Sequence, residues 1–282
     1  MHNSRAINDL DLTIVVNTCD LYSDVLELFF AAFKEYWPNC QYPIVINSEK
    51  NYYPQYDGVQ THIYKSNNNG SWGGRLLQVL NNIKSEFVLM LYDDFILENM
   101  VKINEIEDSI LLLKRDVKVA ALYLVNTSLP SEKSTYEQFE IVNDYIDFRL
   151  NSSPAIWRRS KLITYTGEHD NPWAWEVFGS YRTYGDEALF YTLTHTTTDI
   201  YPYNYKKGGA IYRGRWVKDV VENKFKKYQL NIDPQIRGYS EDVADESRSL
   251  KWKVNFIWTG YQMVGLKVLL FAVRYIKRKL HA

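Results

Sequence analysis

The stretch Phe87–Leu97, FVLMLYDDFIL, places two adjacent aspartates, Asp93 and Asp94, in the middle of an apolar run. Carboxylates are seldom fully buried without a partner, because removing a charge from water costs more free energy than packing returns. The residues before the pair are typical of a buried β-strand. We therefore predict that the strand ends at the two aspartates and that they face a metal ion, a cationic ligand group or water.

The composition of the 282-residue chain excludes several classes of protein. A hydrophobic content of 46% predicts a globular chain with ample core rather than a disordered one. The 33 Lys and Arg residues balance 34 Asp and Glu residues, so no chain-wide basic charge favours nucleic acid. Two cysteines, Cys19 and Cys40, are too few for a disulfide framework, and the N-terminus lacks a signal-peptide pattern. These features predict a cytoplasmic protein.

Strands and helices alternate along most of the chain. LTIVVNT (12–18) and YPIVIN (42–47) are typical of buried parallel strands, and SDVLELFFAAFKEYW, with Ser23 as its N-cap, has helical spacing. The alternation predicts an α/β fold with a mostly parallel central sheet, helical crossovers and a helical C-terminal extension. Further strands are predicted at 58–64, 87–91, 117–125 and, as an edge strand, 144–150, and further helices at 75–84 and 104–116.

The predicted position of Asp93 and Asp94 suits a cation. In open α/β sheets, ligands bind at the carboxyl ends of the strands. Adjacent carboxylates there can hold Mg²⁺ or Mn²⁺, which usually completes its coordination shell with substrate phosphates. Because neighbouring residues point to opposite sides of a strand, one aspartate could serve the metal while the other caps the next turn. The alternative is a purely structural pair, with Asp94 as an N-cap and Asp93 as a surface acid.

The order of these parts resembles that of the GT-A glycosyltransferases, which move a sugar from a nucleotide-diphosphate donor to an acceptor. The resemblance lies in the strand LTIVVNT, the helix RLLQVLNNIKSE and the acidic strand end FVLMLYDDFIL. Many members read Asp-x-Asp-Asp where this chain reads Leu91-Tyr92-Asp93-Asp94, so the first acid is absent. The resemblance implies a GT-A catalytic domain over 1–215 and a divalent metal held by Asp93 and Asp94 on the donor diphosphate.

The stretch NGSWGGRLLQVL adds a candidate donor site before the acidic strand. Gly70, Gly73 and Gly74 permit close approach of the backbone to a ligand. Arg75, at the start of a predicted helix, supplies a fixed cation beside helix-terminal N–H groups, which suits a phosphate. Arg75 is therefore a predicted donor-binding residue, with an ordinary turn as the alternative.

The stretch GEHDNPWAWEVFGS contains the candidate catalytic base. Transfer with inversion needs a carboxylate that removes a proton from the acceptor hydroxyl. Asn171 and Pro172 predict a helix start, which places Glu176 about one turn into the helix. In GT-A enzymes the base often lies near the start of such a helix, so the resemblance implies Glu176 first and Asp170 second.

Two tryptophans in the same stretch, Trp173 and Trp175, are candidate acceptor-binding residues because aromatic faces stack on sugars. Two tryptophans in a short helix are equally typical of core anchors.

A basic, glycine-rich stretch, YKKGGAIYRGRW, has the composition of a loop that closes over a diphosphate. Its predicted donor-binding cations are Lys207, Arg213 and Arg215, with Lys206 beside them. The alternative is a solvated basic turn.

The region 216–282 is predicted to be a helical extension that associates with membrane or forms oligomers. From Asn255 it is the most apolar stretch of the chain, but Gln262 and Lys267 interrupt it, which argues against a spanning segment. An interfacial helix would direct Trp258, Tyr261, Leu269 and Phe271 toward lipid, with Arg274, Lys277, Arg278 and Lys279 on anionic headgroups. Packing on the domain or on a partner subunit is the alternative.

Together these features predict a cytoplasmic, peripherally membrane-bound glycosyltransferase of surface-polysaccharide synthesis, such as capsule or lipopolysaccharide. Its partners would be a nucleotide-sugar donor and a glycan or lipid-linked acceptor, and its mechanism inverting. Two alternatives remain open. A nucleotidyltransferase would consume a nucleoside triphosphate and release pyrophosphate, and a non-catalytic scaffold would bind nucleotide or glycan without turnover.

Overall fold

A nine-stranded sheet lies at the centre of the protein, in a computed structural model that describes residues 11–63, 70–242, 249–271 and 273–274. The sheet strands are β1 Leu12–Asn17, β2 Ile44–Ser48, β3 Val59–Ile63, β4 Phe87–Tyr92, β5 Val119–Tyr123, β6 Ser131–Lys133, β7 Phe139–Val142, β8 Ala155–Arg158 and β9 Leu189–Leu193. A separate hairpin pairs β10 Ile211–Tyr212 with β11 Arg215–Trp216. The helices are α1 Ser23–Tyr36, α2 Trp72–Asn82, α3 Ile103–Arg115, α4 Arg159–Tyr165, α5 Pro172–Val177, α6 Lys218–Lys227 and α7 Leu250–Val264.

The sheet order is β3-β2-β1-β4-β8-β5-β9-β7-β6. β1 pairs in parallel with β2 and β4, β2 with β3, and β5 with β9. β8 lies between β4 and β5 and is antiparallel to both, and β7 is antiparallel to β9. The strands β1 to β5 and β9 therefore share one direction, and their carboxyl ends lie along one edge of the sheet. The predicted α/β fold with a mostly parallel sheet is confirmed.

Helices cover both faces of the sheet. In β1, Ile14 and Val16 belong to one hydrophobic cluster, whereas Val15 between them belongs to another. The first cluster includes apolar residues of α1, α3 and α6, and the second includes those of α2, α4 and α5. Burial of both faces explains why β1 and β4 are continuous apolar runs rather than alternating ones.

Three local predictions are corrected by the structure. The edge strand predicted at 144–150 is a series of turns, in which Tyr145 and Phe148 have φ values of 57° and 60° that interrupt extended backbone. The first helix already includes Ser23, and its N-cap is Tyr22. The second helix begins at Trp72, three residues before the predicted start, because the Ser71 side chain accepts a hydrogen bond from Gly74 N and caps it.

Residues just after the predicted boundary at 215 pack on the sheet. Trp216, Val221 and Phe225 are buried in the same hydrophobic cluster as β1 and β4. The hairpin and α6 are therefore part of the sheet domain.

The predicted C-terminal helical extension is present as α7, which packs on α5 through a third cluster centred on Phe178. Gly260 makes this packing possible, because a Cβ there would lie 2.6 Å from Phe178 Cζ. Of the interfacial residues predicted, Phe271 instead packs on Phe178, with ring centroids 5.4 Å apart. Arg274 donates to Asp147 and Tyr184 rather than facing outward, and Lys277, Arg278 and Lys279 lie outside the described residues.

Candidate active site

The two aspartates follow β4 at the carboxyl edge of the sheet, as predicted. Asp93 is buried, and its N–H donates to Asn17 O at the end of the neighbouring strand β1. The Thr18 hydroxyl donates to Asp93 Oδ2 at 2.5 Å. The ends of β1 and β4 therefore fix the direction of the Asp93 carboxylate.

The electrostatics of the pair disfavour the ionised form of both carboxyls. Burial raises the pKa of the Asp93 carboxyl well above its ordinary value, and the Asp94 charge raises it further. The Thr18 hydrogen bond and the Arg237 charge oppose this rise. Burial also raises the pKa of Asp94, to about 7. A cation or a cationic ligand group at this position would relieve the penalty.

Asp93 and Asp94 line a cleft of 490 Å³, which we name the acidic cleft. This volume lies in the range of ordinary small-molecule sites, roughly 300 to 1,000 Å³. Other residues that line the acidic cleft are Tyr22, Phe95, Ser152, Pro172, Trp173 and Arg213. A smaller cavity of 180 Å³ extends it toward Thr18 and Arg75.

The glycine-rich loop after residue 204 packs directly on Asp94. A Cβ at Gly209, where φ is 158°, would lie 2.7 Å from Asp94 Oδ2 and 2.8 Å from Asp94 O. Ala210 N donates to Asp94 O at 2.8 Å. The sequence predicted glycine here for loop movement, whereas the structure uses it for close approach to the acidic pair.

The predicted cations of this loop have different positions. Arg213 lines the acidic cleft. Lys207 pairs with Glu241 at 2.9 Å, and Arg215 donates to Arg237 O at 3.2 Å. Lys206 is exposed. Arg213 is therefore the loop cation that the structure brings to the cleft.

Arg75 lies in the first turn of α2 and is buried. Its Nη1 pairs with Glu49 Oε1 at 2.8 Å and donates to Gly70 O at 3.1 Å. Its buried Nε atom has no hydrogen-bond partner among the described residues. Arg75 lines the 180 Å³ cavity together with Asp93 and Thr18.

Glu176 lies in α5, as predicted, with Asn171 as the N-cap and Pro172 as the first residue. Its Oε1 accepts hydrogen bonds from Ser152 N at 2.7 Å and from Ser152 Oγ at 2.5 Å. Burial raises the pKa of Glu176, and the two Ser152 hydrogen bonds oppose the rise. A carboxyl with a raised pKa and a fixed direction has the properties of a general base.

Glu176 lines a second cavity, of 310 Å³, which we name the Glu176 cavity. Phe95, Ser152 and Gly208 line both this cavity and the acidic cleft, so the two are neighbours. The structure therefore brings the predicted base and the predicted metal-binding pair to one groove.

The second candidate base, Asp170, is held in a buried ion pair. Arg182 binds it with both of its terminal nitrogens, Nη1 to Oδ2 at 2.5 Å and Nη2 to Oδ1 at 2.8 Å. Gly167 N donates to Oδ2 at 2.7 Å. Because both oxygens already accept hydrogen bonds, Asp170 is suited to holding its loop and unsuited to accepting a substrate proton.

The two predicted acceptor tryptophans have opposite environments. Trp175 has no exposed surface, lies 5.8 Å from the Trp157 ring, and donates from Nε1 to Tyr165 O. It is a core residue, so its prediction as a sugar platform is corrected. Trp173 is 41% exposed and lines the acidic cleft while its ring contacts Trp252 and Phe256 of α7.

Replacement of Trp175 tests this assignment. We expect Trp175→Ala to lower the free energy of unfolding by about 3 to 5 kcal/mol, because it leaves a large cavity in the core. Exposed Trp258 is the matched control, and Trp258→Ala should change stability by less than about 1 kcal/mol. Urea unfolding followed by circular dichroism measures both. Equal losses would contradict the core assignment.

Sequence reasoning missed Arg237. Its guanidinium pairs with Asp24 through Nε at 2.8 Å and lies 4.5 Å above the Tyr22 ring, and its charge lowers the pKa of Asp93. It lies outside the predicted catalytic domain, in polar sequence that has no motif. Its relation to Asp93 arises from the packing of the segment after α6 on the start of α1.

The donor set of the acidic pair determines what kind of metal site is possible. Among the described residues, no group of three or more His, Cys, Asp or Glu side chains is placed to hold a metal ion. Two neighbouring carboxylates still fit a Mg²⁺ or Mn²⁺ ion that takes its other ligands from water and phosphate. The site therefore suits a metal that arrives with a diphosphate.

Comparison with known proteins gives no family assignment from sequence, because no family model and no curated protein matches the chain. Among solved structures, S. aureus TarS 1–349 is similar, with 12% identity and a TM-score of 0.46 over 92% of this chain and 82% of that one. This chain covers 50% of the longer TarS structure. A cytidylyltransferase from Leptospira borgpetersenii has 14% identity and a TM-score of 0.41 over 64% of this chain and 74% of that one. The galactosyltransferase LgtC has 10% identity and a TM-score of 0.34 over 53% of this chain and 58% of that one.

Proposed function

We propose that this protein is a glycosyltransferase that transfers a sugar from a nucleotide-diphosphate donor to a glycan or lipid-linked acceptor, with inversion. One observation carries the proposal. A cleft at the carboxyl edge of the parallel strands combines an acidic pair with raised pKa values, the cation Arg213 and, in the adjoining cavity, a buried glutamate with a raised pKa. This edge is where ligands bind in open α/β sheets.

Each group has a role in such a transfer. Asp93 and Asp94 would hold a divalent metal, which neutralises the charge that develops on the departing diphosphate. Arg75 and Arg213 would bind the phosphates from two sides of the acidic pair. Glu176 would accept the proton of the acceptor hydroxyl as it attacks the anomeric carbon. The Ser152 hydrogen bonds would keep its carboxylate pointed at the groove.

A thermal-shift panel of UDP, GDP, CDP and dTDP, each with and without Mn²⁺, tests the proposal. A ligand that binds the native state raises Tm by mass action, so one nucleotide should stabilise the protein, and more strongly with metal. Loss of the effect in a Glu98→Gln variant, whose carboxylate pairs with Lys224 at the surface, would point to a nonspecific metal effect.

Turnover assays, run beside the thermal-shift panel, separate the alternatives. Turnover of a nucleoside triphosphate with release of pyrophosphate would identify a nucleotidyltransferase. Binding of nucleotide with no sugar transfer to any acceptor would support a scaffold. Absence of any shift would remove the basis for both the donor site and the metal.

We further propose that the C-terminal region binds an anionic membrane surface, consistent with synthesis of capsule or lipopolysaccharide at the cytoplasmic face. No helix among the described residues is long and apolar enough to cross a bilayer. The outer face of α7 and the segment after it nevertheless exposes a row of large apolar side chains, and three lysines of this region, Lys251, Lys253 and Lys267, are exposed. The row consists of Leu250, Val254, Ile257, Trp258, Tyr261, Leu266, Leu269 and Leu270.

Vesicle sedimentation tests this surface. We expect the protein to sediment with vesicles that contain phosphatidylglycerol and less with pure phosphatidylcholine, because aromatic and aliphatic side chains insert while lysines contact anionic headgroups. The variant Trp258→Ser/Leu266→Ser should remain in the supernatant. Val117→Ser, which removes an equally exposed apolar side chain elsewhere, should bind as the unmodified protein does. Self-association without lipid binding would assign the face to a second copy of the chain instead.

A further inference from the structure

The largest cavity adjoining the groove has no role in the transfer described above. This outer cavity, of 690 Å³, lies at the same carboxyl edge of the sheet, among the loops that follow β4, β5 and β9. It shares Asn126, Ser128 and Tyr205 with the Glu176 cavity. The acidic cleft, the Glu176 cavity and the outer cavity therefore adjoin one another in that order, and we call the three together the groove, with Glu176 in its middle part.

The lining of the outer cavity is polar, with Lys102 and Asp199 as a pair of opposite charges and the exposed imidazole of His195 beside them. Asp199 is half-buried, and it accepts from Asn126 N and interacts with Lys102 and Tyr205. Lys102 Nζ in turn donates to Thr198 O at 2.7 Å. Hydroxyl and amide groups supply most of the remaining polar atoms. Such a lining suits a neutral, hydroxyl-rich ligand better than an anionic one.

An aromatic row connects this cavity with the acidic strand end. Phe95 lies 4.6 Å from the Tyr203 ring, and Tyr203 lies 5.5 Å from the Tyr205 ring. Tyr203 is almost fully buried, whereas Tyr205 is 43% exposed and lines both the outer cavity and the Glu176 cavity. An exposed ring that is fixed from behind by a buried ring is a suitable platform for the apolar face of a sugar.

We propose that the outer cavity is a distal acceptor subsite, which binds a neutral sugar unit of the acceptor chain that lies beyond the unit being glycosylated. This inference rests on the proposed transfer, because it is Glu176 that defines the reacting position. The acidic cleft alone has the volume of an ordinary ligand site, so the outer cavity has room for a separate group. The acceptor is therefore an extended neutral glycan rather than a single sugar or a charged one.

Binding to an array of immobilised linear glucans, mannans and galactans, as mono-, di-, tri- and tetrasaccharides, tests the subsite without turnover. Sialylated and phosphorylated glycans serve as charged comparisons. We expect binding to strengthen with chain length for at least one neutral series. Tyr205→Ala should weaken the longer members by about threefold to tenfold, and Tyr205→Phe, which keeps the ring, should restore them. Met100→Trp, which places a larger side chain in the lining of the outer cavity, should also weaken them.

Tyr145→Ala is the matched control, since this tyrosine is 60% exposed, contacts Tyr184 and does not line the groove. Absence of glycan binding, binding without dependence on length, preference for charged glycans, or an equal loss in Tyr145→Ala would each overturn the subsite. Nucleotide stabilisation is measured on the same variants. Glycan binding without any nucleotide shift would contradict the proposed transfer and leave the outer cavity as a glycan-binding site that is not an acceptor subsite. The reverse result would contradict the subsite alone.

Discussion

Replacement of Glu176 by glutamine is expected to lower kcat by about 100-fold to 10,000-fold, because the substitution keeps the shape of the side chain and removes its ability to accept a proton. Donor binding should change little, since Glu176 lines the cavity next to the acidic cleft and not the cleft itself. The measurement is sugar transfer at saturating donor, together with the nucleotide-induced change in Tm. A variant with normal turnover would remove Glu176 from the mechanism.

The position of Ser152 allows a sharper test of the same role. Its hydroxyl donates to Glu176 Oε1 at 2.5 Å, and a hydrogen bond to the ionised form lowers a carboxyl pKa. Ser152→Ala should therefore raise the pKa of Glu176 further. If the ionised carboxylate is the base, the acidic limb of the kcat profile moves to higher pH while the plateau is retained. A merely structural Glu176 would leave the limb in place.

Asp170→Asn is the matched comparison for Glu176→Gln. Asp170 lies in the same stretch of sequence but is bound by Arg182 on both oxygens. Removing its charge leaves a partly buried guanidinium without its partner, so the loss should appear as reduced stability of about 3 to 5 kcal/mol rather than as an altered pH profile. The reverse pattern in the two variants would exchange their roles.

The sequence predicted the sheet and the position of Asp93 and Asp94 because both depend on the pattern of neighbouring residues. LTIVVNT and FVLML are apolar runs that can only be buried on both faces, and an Asp pair directly after such a run can only lie at its end. Asn171 and Pro172 are residue types typical of a helix N-cap and first turn, so they predicted the start of α5 and placed Glu176 correctly in it.

The sequence could not tell a buried from an exposed residue of the same type, because the difference depends on contacts with residues far away in the chain. Trp173 and Trp175 have the same local context, yet Trp175 meets Trp157 of β8 and Trp173 meets α7. Arg237 was missed for the same reason, since its pairing with Asp24 spans most of the chain. The turns at 144–150 depend on residues with positive φ, for which Tyr145 and Phe148 carry no composition signal.

Removal of one carboxylate from the acidic pair is expected to have the second large effect. Asp94→Asn should abolish the Mn²⁺-dependent part of the nucleotide-induced rise in Tm and lower turnover by at least about 100-fold. The reason is that Asp93 alone, already bound by Thr18 and buried, leaves too few free carboxylate oxygens for a divalent ion. Titration of metal against nucleotide-bound protein measures the first effect directly.

The apo variant itself should be more stable than the unmodified protein, not less. Burial raises the pKa of Asp94 to about 7, so ionising this carboxyl costs the folded state stability that the unfolded chain does not lose. The cost grows as pH rises from the ordinary aspartate pKa to about 7 and is fully present above that pH, and a neutral amide removes it. If Asp94→Asn raises the stability of the apo protein and abolishes the Mn²⁺-dependent rise in Tm, the Asp94 carboxylate serves function rather than stability. Glu98→Gln, at a surface ion pair after the same strand, should show neither effect. Loss of stability in Asp94→Asn without loss of metal response would instead make the aspartate a structural residue of the glycine loop.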